Sequence, residues 1–131
     1  MIAVDTNVLV RLLVADDPIQ SDKARKLFDA QAADAGSIWV SQTVLVELVW
    51  VLSRTYGRPR ADVLTALRAL ASHATVCLDG AQEVAAAVAL YAQSKADFAD
   101  CLLAARAHSR EIGALYTFDR KMKGLPQVQV M

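Results

Sequence analysis

Four short apolar runs, at 2–4, 38–40, 75–78 and 115–118, recur along the chain, and stretches with helical spacing separate them. Unbroken apolar runs of this length suit strands covered on both faces. Strands that alternate with helices pair in parallel, because a parallel pair needs a crossover and a helix supplies it. The expected fold is therefore α/β, a small parallel sheet of four to five strands flanked by helices, with a short edge strand at 128–130. At 131 residues the chain has room for one domain, and no repeat, low-complexity tract or linker divides it.

The intervening segments can be placed individually. The first strand ends at Asp5 and turns directly into a helix over 6–14. After Asp16-Asp17-Pro18, the residues Ala24, Leu27, Phe28 and Gln31 share one face of a helix over 20–33, with Gly36 as its stop. The segment 41–53 is apolar almost all round, which predicts a buried helix that also feeds a subunit interface. Past the breakers Gly57 and Pro59, Val63, Leu64, Leu67 and Leu70 mark a surface helix over 60–72. Asp79, with Gln82 three residues on, resembles a capping box that opens an alanine-rich helix running to about residue 94. A last helix spans 97–111 and stops at Gly113.

Composition narrows the functional classes. With 55% hydrophobic residues the chain buries enough apolar surface to fold. Fourteen Lys and Arg balance fourteen Asp and Glu, so a polyanion would have to be met by a local basic patch. Cys77 and Cys101 are too few for a disulfide scaffold and sit in apolar runs, which suits interior packing in a reducing cytosol. The start, Met1-Ile2-Ala3-Val4-Asp5, lacks the pattern of a signal peptide, and the run 36–53 is broken by Ser41, Gln42, Thr43 and Glu47 before it could span a membrane. A cytoplasmic protein is expected.

The acids fall where acids are costly. Glu47 is the only ionisable residue between Trp39 and Leu52, and an unpaired buried carboxylate costs several kcal/mol or takes up a proton, unless the residue reaches solvent along a narrow stripe of its helix, as a good helix former can. Asp5 and Asp119 each follow an apolar strand, at the carboxyl edge where ligands gather in open α/β sheets. Each could instead cap a helix or serve a turn. Asp97 and Asp100 are three apart at the start of a helix and share a face; Asp97 reads equally as an N-cap. Together, Asp5, Glu47, Asp97, Asp100 and Asp119 form a set of hard oxygen donors of the kind Mg²⁺ or Mn²⁺ requires. Isolated His73 and His108 lack zinc spacing, and there is no Gly-rich phosphate loop or Gly-x-Ser-x-Gly elbow.

The segments Val4-Asp5-Thr6-Asn7-Val8-Leu9, Glu47, Ala96-Asp97-Phe98-Ala99-Asp100-Cys101-Leu102-Leu103-Ala104 and Thr117-Phe118-Asp119-Arg120-Lys121, in that order and spacing, resemble the PIN-domain ribonucleases, and among them the VapC-type toxins of toxin–antitoxin pairs. The resemblance implies a three-layer PIN fold over 1–131 and hydrolysis of RNA phosphodiester bonds with Mg²⁺ or Mn²⁺. It matches Asp5, Glu47 and Asp100 to the principal acids, Asp119 to a fourth and Asp97 to an extra acid of some toxins. Asp5 and Asp100 would hold the principal metal, with Glu47 and Asp119 holding a second ion or orienting water. Asn7 and Thr117 match positions that orient the acids. It further implies an RNA substrate, an inhibitory cognate antitoxin, a homodimer and, beyond that, a larger toxin–antitoxin complex. Arg11, Arg54, Arg58, Arg106, Arg120, Lys121 and Lys123 are candidates to meet RNA phosphates. A haloacid-dehalogenase-type enzyme would want an acid two residues after Asp5, where Asn7 stands. The remaining alternative is a PIN-like module that binds RNA or protein without cutting.

Overall fold

The computed structural model describes all residues, 1–131, with five strands and six α-helices in the expected order. They form two compact units, Met1–Asp79 and Gly80–Met131.

In the first unit, β1 (Ile2–Ala3), β2 (Ile38–Val40) and β3 (Val76–Leu78) pair in parallel in that order, with Ile2 opposite Ile38 and Ile38 opposite Val76. Ile38 and Val40 are buried while Trp39 between them is partly exposed, so β2 alternates rather than being covered on both faces. The helices are α1 (Thr6–Leu13), α2 (Pro18–Ala30), α3 (Gln42–Trp50) and α4 (Arg60–Ser72). Three of them start on a side-chain cap: the Asp5 carboxylate accepts from the Asn7 N–H, that of Asp17 from Gln20, and the Ser41 hydroxyl from Val44. Such caps satisfy amide donors that have no partner inside the helix. Leu9 and Val10, Ala24 and Phe28, Leu45, Leu48 and Val49, and Val63, Leu67 and Leu70 are buried, the stripes that 3.6-residue periodicity places on one face of each helix.

The helix expected over 41–53 runs further and changes character, since residues Val51–Thr55 form a π-helical turn closed by the Tyr56 N–H on the Val51 carbonyl at 3.2 Å. The Tyr56 hydroxyl donates to Asp16 at 2.8 Å, and Arg11 donates to the other oxygen of the same carboxylate at 2.7 Å, tying the turn to the α1–α2 loop. The Tyr56 hydrogen bond, and then Arg11, hold the Asp16 carboxyl below its ordinary value.

The capping box expected at Asp79 and Gln82 does not form. Asp79 instead continues the edge of β3, its N–H bonded to the Val40 carbonyl and its carbonyl accepting from the Gln42 side chain. Gly80 takes the cap position with φ +63°, a conformation that costs glycine little.

In the second unit, α5 (Ala81–Gln93) packs on α6 (Phe98–Ser109), and β4 (Leu115–Thr117) pairs in parallel with β5 (Val128–Val130). Buried Ala87, Ala104 and Ala105 let the two helices approach closely, and Tyr91 meets Phe98 edge to face with centroids 5.8 Å apart. The helix α6 ends at Ser109, before the expected stop at Gly113, and the left-handed residue after it is Glu111. All strands are parallel, as expected, but they form a three-stranded and a two-stranded ladder. No helix is long and apolar enough to cross a membrane.

Candidate active site

In the first unit, the strand-to-helix turn sets out the acids. Asp5 follows β1 with an extended backbone and caps α1. The N–H it accepts at 3.1 Å is the backbone of Asn7, so Asn7 steadies this acid through its main chain and not through its amide. Glu47 lies on the exposed side of α3, so of the two readings the sequence left open, a carboxylate buried in an apolar helix and one that reaches solvent along a narrow stripe, the structure shows the second. Leu45, Leu48 and Val49 take the buried side, leaving Thr43, Glu47 and Trp50 on a solvent-facing stripe. The acid is nevertheless held. The hydroxyl of Thr6, a residue only 7% exposed, donates to Glu47 Oε2 at 2.6 Å. Thr6 was not among the residues singled out from sequence. The available signal was a lone hydroxyl next to Asp5, at the head of an otherwise apolar helix.

In the second unit, three acids neighbour one another. Asp97 stands at the N-cap position of α6 with extended backbone, yet its carboxylate accepts no cap hydrogen bond. The capping role thus falls to its main-chain carbonyl, which accepts from the N–H groups of Asp100 and Cys101. Asp100 is half-buried in the first turn of α6, and its carboxyl is raised above the ordinary value by burial first, then by the charges of Asp97 and Asp119. Asp119 begins the 3-10 turn Arg120–Met122; its carboxylate accepts from the Lys121 N–H at 2.9 Å, and its own N–H donates to the Thr117 hydroxyl at 3.0 Å. Thr117 therefore fixes the backbone that carries the acid. None of these three acids takes part in a salt bridge.

Other residues singled out from sequence are engaged elsewhere. Arg11 is committed to Asp16 and Gln20, and Arg106 stands 3.8 Å from Glu83. His73 packs edge-on against Phe28 and accepts from the Thr75 N–H, while His108 is exposed. Cys101 is buried, but Cys77, the middle residue of β3, is only half-buried. No group of three or more His, Cys, Asp or Glu side chains is placed so as to hold a metal ion. What the second unit holds is unneutralised carboxylate charge.

Comparison with known proteins identifies the family. The model of the PIN domain family matches residues 2–127. A VapC ribonuclease of Aquifex aeolicus (strain VF5) is 23% identical over 121 residues, covering 92% of this chain and 89% of that protein. With the family model matched nearly from end to end, this chain belongs to the PIN domain family.

Proposed function

We propose that this protein is a metal-dependent ribonuclease, the toxin of a toxin–antitoxin pair, and that residues 1–131 work as one PIN domain. The observation that carries the reading is the trio Asp97, Asp100 and Asp119, in which burial and two like charges push the Asp100 carboxyl up and no basic side chain answers them. Structural acids normally find a cation or shed their charge, whereas clustered and desolvated acids mark functional sites. The donor set suits a divalent cation, being made of hard carboxylate oxygens with no ion-pair partner. In the second unit, Asp100 and Asp119, with Asp97 alongside, would hold Mg²⁺ or Mn²⁺, and in the first unit the same reading gives Asp5 and Glu47 the role of metal ligands. When bound, such an ion offsets the carboxylate charge, favours phosphate and lowers the pKa of water.

The chain's own residues prepare that chemistry. Thr6 fixes the rotamer of Glu47, the Asn7 N–H holds the Asp5 carboxylate, and Thr117 anchors Asp119. Oriented carboxylates lose less freedom on meeting a ligand, and the groups that orient them contribute to affinity. Similarity to a VapC ribonuclease supports RNA as the substrate and, with it, a cognate antitoxin as the inhibitor. Homodimer formation, alone or within a larger complex with antitoxin, is supported by Trp50, which is 59% exposed on α3. Two free cysteines suit the cytoplasm.

The test is RNA cleavage by purified, nuclease-free protein with Mg²⁺ or Mn²⁺ and with EDTA, alongside Asp100→Asn. Cleavage is expected only for the wild type with metal. Activity that survives chelation, or equal activity in the variant, would remove the reading.

A further inference from the structure

The basic side chains of this protein are unevenly employed. Arg11 is paired with Asp16, Arg25 and Lys26 with Asp22, and Arg106 and Arg110 with Glu83. In the second unit, Lys95, Arg120, Lys121 and Lys123 are all exposed and form no ion pair, and they line a single cleft of about 700 Å³. Its volume lies in the range of roughly 300–1,000 Å³ usual for ligand sites. Four like charges around one concavity repel one another and focus a positive potential into it, a cost that an anionic occupant offsets.

The same two loops carry the acids. Lys95 lies two residues before Asp97, and Arg120 and Lys121 directly follow Asp119, yet no ion pair joins these cations to these acids. Charges of opposite sign are thus held side by side and apart. The rest of the lining is small or polar, including Gln93 and Ser94, and contains no aromatic ring on which a base could stack.

We propose that this cleft is a phosphodiester-backbone subsite for single-stranded RNA, which leads the strand past Asp97 and Asp119 and reads no base sequence. The inference rests on the ribonuclease reading for the identity of the polyanion, and adds where the strand lies and how it is held. Cations supply sequence-independent affinity, while base edges and stacking supply specificity; four cations against one amide and one hydroxyl, with no ring to stack on, weight the cleft toward the former. Specificity for a particular RNA must then come from elsewhere on the protein. Lys95 is the member that sequence reading did not single out.

Fluorescence anisotropy with labelled single-stranded oligo(U) and oligo(A), in EDTA so that nothing is cut, tests this. The log of the binding constant is followed against the log of salt concentration for wild type, K95Q/K123Q and K121Q. All three side chains are exposed, and the Lys121 N–H that holds Asp119 survives substitution, so the variants should fold; circular dichroism checks that they do. The expected result is a salt slope shallower by about 0.7 per cation removed, the single-strand value, equally for both oligomers. An unchanged slope in K95Q/K123Q while the wild type still cleaves RNA with Mg²⁺ would overturn the cleft and leave the ribonuclease reading standing. Wild-type binding with the expected slopes, but no cleavage with metal, would keep the cleft and overturn the enzyme. A loss confined to one oligomer would overturn the sequence-neutral backbone role, and binding of an acidic peptide with these slopes but of no RNA would assign the cleft to a protein partner instead.

Discussion

Replacing Thr6 with Val separates the orientation of Glu47 from its presence. Valine keeps the shape of threonine, so the buried site is filled, no orphaned hydroxyl remains, and only the 2.6 Å hydrogen bond to Glu47 Oε2 is lost. A hydrogen bond to a charged group contributes about 1.5–3 kcal/mol, but Glu47 is exposed and recovers water, so the stability cost should fall to about 1 kcal/mol. For a chain of 131 residues that corresponds to a melting temperature lower by about 3–5 °C. Cleavage should suffer more. Outer partners of metal-binding carboxylates are typically worth about 10–100-fold, or roughly 1.4–2.8 kcal/mol in the barrier. Thr6→Ser, which keeps the hydroxyl, should recover most of the rate. The assay is single-turnover RNA cleavage at saturating metal beside thermal unfolding of the same samples. A lowered melting temperature with unaltered cleavage would show that the bond only staples α1 to α3, and equal rates for Val and Ser would refute the orienting role.

The raised Asp100 carboxyl means that the folded protein binds this proton more tightly than the unfolded chain, so its contribution to stability is fully present below the ordinary carboxylate range and is lost as pH rises through the raised value. In metal-free protein, Asp100→Asn should therefore gain in melting temperature relative to wild type as pH rises from about 3 to 7, and a gap that stays constant across that range would contradict the desolvated, repelled carboxylate. Asp5→Asn and Asp100→Asn should each abolish cleavage with the circular dichroism spectrum retained, whereas Asp97→Asn should be milder; a greater loss in Asp97→Asn than in Asp100→Asn would reverse their assignment. If α3 meets a second copy, Trp50→Ala should shift sedimentation toward monomer and leave the monomer's circular dichroism unchanged. A wild type that sediments only as monomer at micromolar concentration would exclude the homodimer.

The fold was legible where local rules and packing agree. Helices α2 and α4 carry an apolar stripe of helical period and a start signal, Asp17-Pro18 for the first and Pro59 for the second, and both begin within two residues of the place those signals indicate. The errors lie where a local signal competed with a strand. Asp79 looks like a cap because it precedes Gln82 by three, but its backbone is worth more beside β2, with one hydrogen bond to the Val40 carbonyl and one from the Gln42 side chain, and the turn passes to Gly80. Nothing in the sequence marks the π-helical turn at Val51–Thr55. It is stabilised beside the Tyr56–Asp16–Arg11 contacts, which join residues forty or more positions apart.

For the site, sequence placed each acid on its element but misjudged what surrounds it. Glu47 seemed costly because its neighbours in the chain are apolar. On a helix, however, burial follows the face and not the neighbourhood, and Thr43, Glu47 and Trp50 fall at i, i+4 and i+7 on the side turned to solvent. The carboxylate with the greater electrostatic strain is Asp100, whose sequence setting, the first turn of a helix, looked favourable. A helix N-terminus favours an anion by only about 0.3–1 kcal/mol, a contribution that partial burial beside Asp97 and Asp119 outweighs. Periodicity can announce a helix face, whereas the charge environment of a side chain depends on which loops return to it. Here those are the loops that carry Asp97 and Asp119, and they bring Lys95, Arg120 and Lys121 with them. Acid and base therefore share a short stretch of chain without forming an ion pair.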